Sequence, residues 1–455
     1  MKIRKFLYAF IFLSCAIAFI FPTSFISANA NSALKEWRGV DGVGAIVTDN
    51  DVPIEVEKEI LTFDLQDLPE NGHELSNSLK VTAEYHFYNP SDYDITATLV
   101  FPYGIYENYE NLSNSMYGVK INGERITSTK RHTYFGNSEF NSQVDVAKLK
   151  DNYISDAFYH PDLNVSIYTY KINLDAAKSA LKMTFNGSVK KTKIFLSRSS
   201  YNSSNNSYSI TTGTWVNNND VVSLYVVGED RNTISHDFRE NFGDEAKQIQ
   251  GSLTLQSKQT TTFKELVDSM YHSFYDVNSL DWYNAYVAML NDGHSITDDL
   301  SSNLLAWYEY QITMAPGERI VNTVIAPSIP TFNERYEPST YKFTYLLSPA
   351  KSWADFGELT ININTSAYLI DNNLENFEKV DSGYHLVLNG LPDGELIFIL
   401  SSDENPKVPL NWSTVLFYLI IILPIVLVIA IIVIIIVVIV KVRKKKKAKK
   451  NLKKS

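Results

Sequence analysis

The chain has 455 residues and a single cysteine, Cys15, so it cannot form a disulfide within itself. Of its 41 basic residues, three precede residue 31 and ten follow residue 440. The segment between therefore has 28 basic residues against 51 acidic residues in the whole chain. This excess of negative charge argues against a nucleic-acid partner. An exported chain without disulfides is typical of bacteria.

The N-terminal segment has the composition of a secretory signal peptide. Basic residues precede an apolar stretch from Phe6 to Phe21, and Ala28-Asn29-Ala30 supplies small residues where a signal peptidase cleaves. We therefore predict a signal peptide over residues 1–30. An uncleaved N-terminal anchor is the main alternative, and a lipoprotein acylation site at Cys15 is a weaker one because the preceding residues fit that pattern poorly.

Residues 31–260 predict an N-terminal β-sandwich domain. Residues 81–88 largely alternate between apolar and polar side chains, Asn89-Pro90 begins a turn, and a strand from residue 95 ends where Pro102 removes a donor. Asn122-Gly123 predicts a type I′ hairpin because this pair tolerates positive φ. Further strands are predicted at 45–48, 57–65, 164–173, 181–185, 208–214, 221–227 and 251–259, and short helices at 145–154 and 175–180.

Residues 261–305 predict a small helical segment between two β-domains. Thr262-Phe263-Lys264-Glu265 is a capping box, in which a hydroxyl and a carboxylate satisfy free amide groups at a helix start. A second helix begins near Asn278 and ends at Asn291-Asp292-Gly293, and a third covers residues 297–304.

Residues 306–402 predict a C-terminal, immunoglobulin-like β-sandwich. Pro316-Gly317 is typical of a type II turn, and Trp353 and Phe356 are expected in the core beside Gly357, where the chain can approach closely. Strands with short turns between them are predicted at 307–313, 319–326, 341–347, 357–364, 384–388 and 395–400. The predicted fold class is thus mainly β, with two sandwiches and helices between them.

The C-terminal part predicts one membrane-spanning helix. After a polar linker, 403–414, the run 415–440 has no charged or amide side chain, and its 26 residues reach roughly 39 Å as a helix, enough for a hydrocarbon core of about 30 Å. The basic tail 441–455 predicts a cytoplasmic C-terminus and an external acidic part. The same tail also has the composition of a polybasic patch that binds anionic lipid or a cytoplasmic partner.

Three segments carry a resemblance to known proteins. They are 47–65, which contains Val52-Pro53-Ile54; 81–104, which contains Asn89-Pro90-Ser91-Asp92; and 307–365, which contains Trp353-Ala354-Asp355-Phe356-Gly357. Together they resemble uncharacterised, membrane-anchored surface proteins of low-GC Gram-positive bacteria. The resemblance implies an architecture and a surface location, and it carries over no catalytic residue.

Motifs for catalysis or metal binding are missing from the sequence. There is no His-Glu-x-x-His, phosphate-binding glycine loop or Gly-x-Ser-x-Gly, so we predict neither an enzyme nor a cofactor. Asp49-Asn50-Asp51 lacks the glycine and glutamate of a calcium loop, and no metal site is predicted. Asp292-Gly293-His294-Ser295 is interpreted as a turn, and His132, His160, His236 and His272 have no ligand spacing.

Three tyrosines are the candidate binding residues. Tyr103, Tyr106 and Tyr109 follow Phe101-Pro102 in a predicted loop, where rings can stack on sugars or anchor a protein, although burial in the core is the alternative. The predicted function is a single-pass cell-surface protein with a non-enzymatic domain for binding, adhesion or envelope contact. Its predicted partners are the lipid bilayer through residues 415–440 and a cell-wall glycan or membrane protein. The alternatives are an exported hydrolase of glycan or peptide and a subunit of a membrane complex.

Overall fold

The structure, a computed structural model, describes most of the chain between residues 42 and 409. The described residues are 34–35, 42–43, 45–48, 52–66, 68, 79–105, 117–136, 140–186, 190–197, 201–206, 209–230, 234–243, 245–271, 277–300, 303–409, 422, 426 and 429–445. The predicted signal peptide lies outside them, as do Asp49-Asn50-Asp51 and His272.

A small compact unit contains residues 333–340 and the described residues after 404. Within it, the backbone amide of Glu337 donates to the carbonyl of Lys407 at 2.8 Å, and the reverse bond measures 3.1 Å. Residues 429–445 are helical, while much of the predicted span 415–440 lies outside the described residues. Among the residues that are described, no helix has both the length and the apolar character needed to cross a membrane.

The large unit, residues 35–332 and 341–404, is mainly β, as predicted. Its strands up to residue 140 are β1 (Leu34–Lys35), β2 (Gly42–Val43), β3 (Ile46–Val47), β4 (Glu55–Asp64), β5 (Lys80–Tyr88), β6 (Ile95–Ile105), β7 (Gly118–Ile121), β8 (Glu124–Arg125) and β9 (Thr129–Tyr134). Between 140 and 300 they are β10 (Asn164–Leu174), β11 (Lys178–Asn186), β12 (Thr192–Leu196), β13 (Tyr201–Asn206), β14 (Ser209–Asn217), β15 (Val221–Gly228), β16 (Ile234–Arg239) and β17 (Gly251–Thr262). The later strands are β18 (Leu304–Met314), β19 (Arg319–Pro327), β20 (Thr331–Asn333), β21 (Thr340–Leu346), β22 (Asp355–Asn364), β23 (Tyr368–Asn372), β24 (Glu378–Val380), β25 (Gly383–Asn389) and β26 (Leu396–Ser401). The helices between 140 and 400 are α1 (Ser142–Val146), α2 (Phe263–Ser269), α3 (Ser279–Asn291) and a 3-10 helix, Ser348–Ser352.

The largest sheet has eight strands in the order β24-β25-β22-β4-β5-β19-β7-β8. Inward side chains of β4 and β5 alternate with outward ones, as period-two patterning requires. They pack against β21 and β26, so that the Phe63 ring meets Tyr345 and Phe398 edge-on at centroid distances of 5.8 and 5.1 Å. Trp353 joins this core, 4.7 Å from the ring of Phe87.

Strand pairing in this sheet does not follow the predicted boundaries 31–260 and 306–402. β4 pairs in parallel with β22, and β5 pairs with β19, so each predicted β-domain supplies neighbouring strands to one sheet. Sequence patterning locates a strand and its buried face, but it does not identify a hydrogen-bond partner 300 residues away.

A second sandwich is inserted between β9 and β18. Its two sheets have the orders β12-β15-β10-β17 and β13-β14-β11-β16, with Leu181, Phe185 and Leu224 in the core between them. Helices α2 and α3 pack with residues of β10, β12 and β15. Because β9 and β18 pair directly, with Tyr134 opposite Leu304, the chain leaves and re-enters the first sandwich through neighbouring strands.

Local turn and cap chemistry was predicted correctly at several positions. The hydroxyl of Thr262 accepts from the amide of Glu265 at 3.2 Å, and the Glu265 carboxylate accepts from the amide of Thr262 at 2.9 Å, which is the predicted capping box. Asn278 caps α3. Asn122 and Gly123 have φ of 51° and 84°, as a type I′ hairpin needs.

Two predicted helices differ from the structure. The segment 145–154 is helical only at its start, as α1, and Lys178 begins β11 within 175–180. Of the predicted helix 297–304, residues 297–300 are not helical, residues 301–302 lie outside the described residues, and Asn303 belongs to a 3-10 turn before β18 begins at Leu304. At the start of the first segment, the side chain of Asn141 accepts a hydrogen bond from the amide of Val144, and the side chain of Asp145 accepts one from the amide of Asn141. This local pattern favours a single capped turn over a longer helix.

The predicted strand end at Pro102 is also wrong, because β6 continues to Ile105. Pro102 lies opposite Trp307 and Gly104 lies opposite Ala306, so Tyr103 is the extra residue of a bulge. A bulge interrupts the hydrogen-bond ladder and therefore tolerates a residue without an amide hydrogen.

Candidate ligand-binding groove

The floor of the candidate site is one face of the sheet β3-β6-β18-β9. Part of this face is apolar and contains Ile46, Val100 and Trp307. Phe140, Val146 and Leu149 pack on these residues, so the segment around α1 covers the apolar part. The polar part of the same face remains open.

A groove of about 390 Å³ lies over this polar part. The segment around α1 and the 3-10 helix contribute its walls, and hydroxyl, amide, carboxylate and ammonium groups are all present. Its lining residues are Ile46, Val47, Thr48, Thr98, Gln143, Val146, Ala147, Leu149, Lys150, Asp151, Glu309, Ser348, Pro349, Lys351 and Ser352.

Arg131 lies behind the groove, with 8% of its side chain exposed. Its Nε donates to both carboxylate oxygens of Asp281 at 3.1 Å, and its Nη1 donates to Glu309 at 2.9 Å and to Asp151 at 3.4 Å. Nη2 donates to the carbonyl of Lys150 at 2.8 Å. The guanidinium therefore fixes α3, β18 and the loop after α1 to one another.

Electrostatics keep Arg131 charged. Burial lowers its pKa, but the carboxylates of Asp281, Glu309 and Asp151 raise the pKa by more, and the net shift is upward. Burial raises the pKa of Asp281, although Arg131 and the amide of His132, which donates to it at 2.9 Å, oppose that shift. One positive charge thus faces three carboxyl groups, two of which line the groove.

The two groove carboxylates differ in accessibility. The side chain of Glu309 is 27% exposed and that of Asp151 is 91% exposed. Each accepts a hydrogen bond from the same Nη1 atom of Arg131 through one oxygen. Lys351, from the 3-10 helix, also lines the groove, and its Nζ donates to the carbonyl of Asp393 at 3.3 Å.

The predicted tyrosine site stays a prediction. The backbone of Tyr103 belongs to β6 and not to a loop, while its side chain and all of Tyr106 and Tyr109 lie outside the described residues. The Asp292–Ser295 turn is present, with Gly293 at a φ of 92°. His132 is buried, and burial lowers its pKa to about 3. Within the described part of the chain, no cluster of three metal-binding side chains occurs.

The groove itself was not predicted. Arg131 is 150 residues from Asp281 and 178 from Glu309 in sequence, and no local spacing signals such a contact. The available signal was a single arginine, flanked by Lys130 and His132, in a strand whose last four residues are buried. A buried arginine requires carboxylate partners.

Comparisons with known proteins identify no family. No protein-family model matches the sequence, and no curated protein matches it. Among solved structures, the chain is similar to a Legionella pneumophila protein whose name refers to nutrient binding, with 10% identity, a TM-score of 0.34 and coverage of 81% of this chain and 72% of that one. A likeness at this level establishes neither function nor ligand.

Proposed function

We propose that the chain is a single-pass cell-surface protein that acts by binding, and that its groove captures a small polar ligand. The observation that carries the proposal is the groove floor: an open, polar sheet face with a buried arginine that holds the lining carboxylate of Glu309. Sites of several hundred cubic ångströms with convergent polar groups are typical of small-molecule binding. We also propose that the two sandwiches have an immunoglobulin-like topology.

Membrane anchoring is supported by the sequence of the C-terminal part. The run 415–440 is uncharged and ten basic residues follow it, which suits a helix with a cytoplasmic end. Ligand capture at the outer surface would be one form of the envelope contact that the sequence predicts.

The binding proposal is tested by filling the groove. Full-length chain in detergent is mixed with free amino acids, dipeptides and mono- and disaccharides, and bound compounds are identified by saturation-transfer NMR. Ser348 is an exposed lining residue, so Ser348→Trp should occupy the groove without disturbing the core and should abolish the signals. Ser252→Trp, at an exposed serine of β17, is the matched control. Equal signals from both variants, or no signals from the wild type, would refute the proposal.

The location is tested separately with protease on intact protoplasts. A tag after Ser455 should survive, because a cytoplasmic end is shielded, and the part from residue 31 to 409 should be digested. Digestion of the tag with protection of that part would reverse the proposed orientation.

A further inference from the structure

We propose that the groove selects small ligands that carry both an ammonium and a carboxylate group, that is, free amino acids or short peptides. The inference rests on the proposed binding function and adds the ligand class.

The first step is the charge behind the groove. Asp281, Glu309 and Asp151 all contact Arg131, whose single positive charge cannot balance three carboxylates. Asp281 is buried, so the carboxylates that a ligand can reach are those of Glu309 and Asp151, which line the groove. A ligand ammonium placed there gains charge-assisted hydrogen bonds to these carboxylates, of which Glu309 is held in position by Arg131.

The second step is the opposite polarity within the same groove. Lys150 and Lys351 line it together with the two carboxylates, and both lysines are exposed. A ligand with only an ammonium group would pair with the carboxylates alone, whereas a ligand that also carries a carboxylate would pair with one of these lysines as well. Groups of both signs in one small site therefore favour a ligand that also carries both signs.

The third step concerns sugars. Sugar-binding sites commonly include aromatic rings that stack on the sugar, and none of the described lining residues is aromatic. The hydroxyls of Thr48, Thr98, Ser348 and Ser352 can hydrogen-bond a peptide group as well as a sugar. Charge thus decides between the two classes in favour of the amino acid or peptide.

The test uses calorimetric titration of full-length chain in detergent with four probes. They are L-alanyl-L-alanine, its N-acetylated form, maltose and calcium chloride. We expect binding of the free dipeptide and a loss of about tenfold or more with the acetylated form, since a loss of about 1.4 kcal/mol in a partly desolvated charge pair corresponds to tenfold in affinity.

Variants locate the two charges. Asp151→Asn and Lys351→Gln alter exposed side chains, so both variants should fold normally, and each should weaken dipeptide binding severalfold. The controls, Asp94→Asn and Lys342→Gln, alter exposed residues outside the groove and should leave dipeptide binding unchanged. Glu309→Gln should have the largest effect. Dipeptide affinity should also fall as salt is raised.

The outcomes separate this inference from the proposed function. Maltose binding that Ser348→Trp abolishes, without dipeptide binding, would overturn the ligand class and leave the groove as a binding site. Calcium binding that Asp151→Asn abolishes, or dipeptide binding indifferent to acetylation, would also overturn the inference. If none of the four probes binds, the inference falls, and the metabolite screen with Ser348→Trp decides the proposed function.

Discussion

Glu59 is an acidic residue at an inward-facing position of β4. A bulge at Glu57 shifts the phase of the strand, since Val56 lies opposite Phe87 while Lys58 lies opposite His86. The shift directs Glu59 between the sheets, in line with Leu61 and Phe63. Only 1% of the residue is exposed, and its carboxylate lies beside the hydroxyls of Tyr85 and Tyr345 without a well-formed hydrogen bond to either.

Burial raises the pKa of Glu59 to about 8, although the hydroxyls of Tyr85 and Tyr345 act in the lowering direction. The unfolded chain loses this proton near pH 4.5, while the folded chain keeps it to about pH 8, so the free energy of unfolding falls as pH rises between these values. The full decrease is roughly 4–5 kcal/mol.

We expect Glu59→Gln to remove most of this pH dependence, because an amide does not titrate. Urea unfolding of both proteins at pH 5, 6.5 and 8 measures it, and the variant should be relatively more stable at pH 8. Glu378→Gln, at an exposed position of β24, is the control and should keep the wild-type slope. Identical slopes for wild type and Glu59→Gln would show that Glu59 does not carry the effect.

At the scale of single elements, most strands were predictable because one face of each is buried. The alternation in β5 and the Asn-Gly pair between β7 and β8 gave both the strands and the turn. Asn89 was predicted as a turn residue, and its side-chain amide donates to the carbonyls of Tyr93, Met314 and Ala315, which also joins two turns that are distant in sequence.

Elements whose conformation depends on distant partners could not be predicted. Pro102 is tolerated inside β6 because a bulge forms opposite Trp307, and nothing near Pro102 in sequence indicates that partner. Gly357 was expected to permit a close approach, and a Cβ there would lie 2.2 Å from the carbonyl oxygen of Glu57, yet the identity of that neighbour follows only from the parallel pairing of β4 and β22. The groove depends on the same long-range pairing and was missed for the same reason.

At the scale of the whole molecule, strands from the two ends of the large unit pair with one another, around an inserted segment. β4, β5 and β6 have partners in β22, β19 and β18, all beyond residue 300. Among the described strands, those between β9 and β18 instead pair only with other strands of the same inserted segment, in two separate sheets. The inserted segment therefore has its own core, and the flanking segments share one.

This arrangement predicts the behaviour of two fragments. Residues 140–300 alone should be soluble and give dispersed amide NMR signals, because they supply all described residues of one buried cluster and all but Tyr134 and Leu304 of the buried residues of the other. Residues 31–260 should aggregate, because the edges of β4, β5 and β6 are left unpaired. The reverse result, a folded 31–260 fragment and an unfolded 140–300 fragment, would contradict the pairing of the sheets.

The adjacency of Tyr134 and Leu304 has an evolutionary consequence. A segment whose two ends meet side by side can be lengthened, shortened or exchanged by recombination while the host sheets keep their register. The contacts of Arg131 with Asp281, with Asp151 and with the carbonyl of Lys150 are then the ones that a replacement segment must reproduce to keep the groove charged. Relatives of this protein should therefore vary most between these two strands and yet retain an acid facing that arginine.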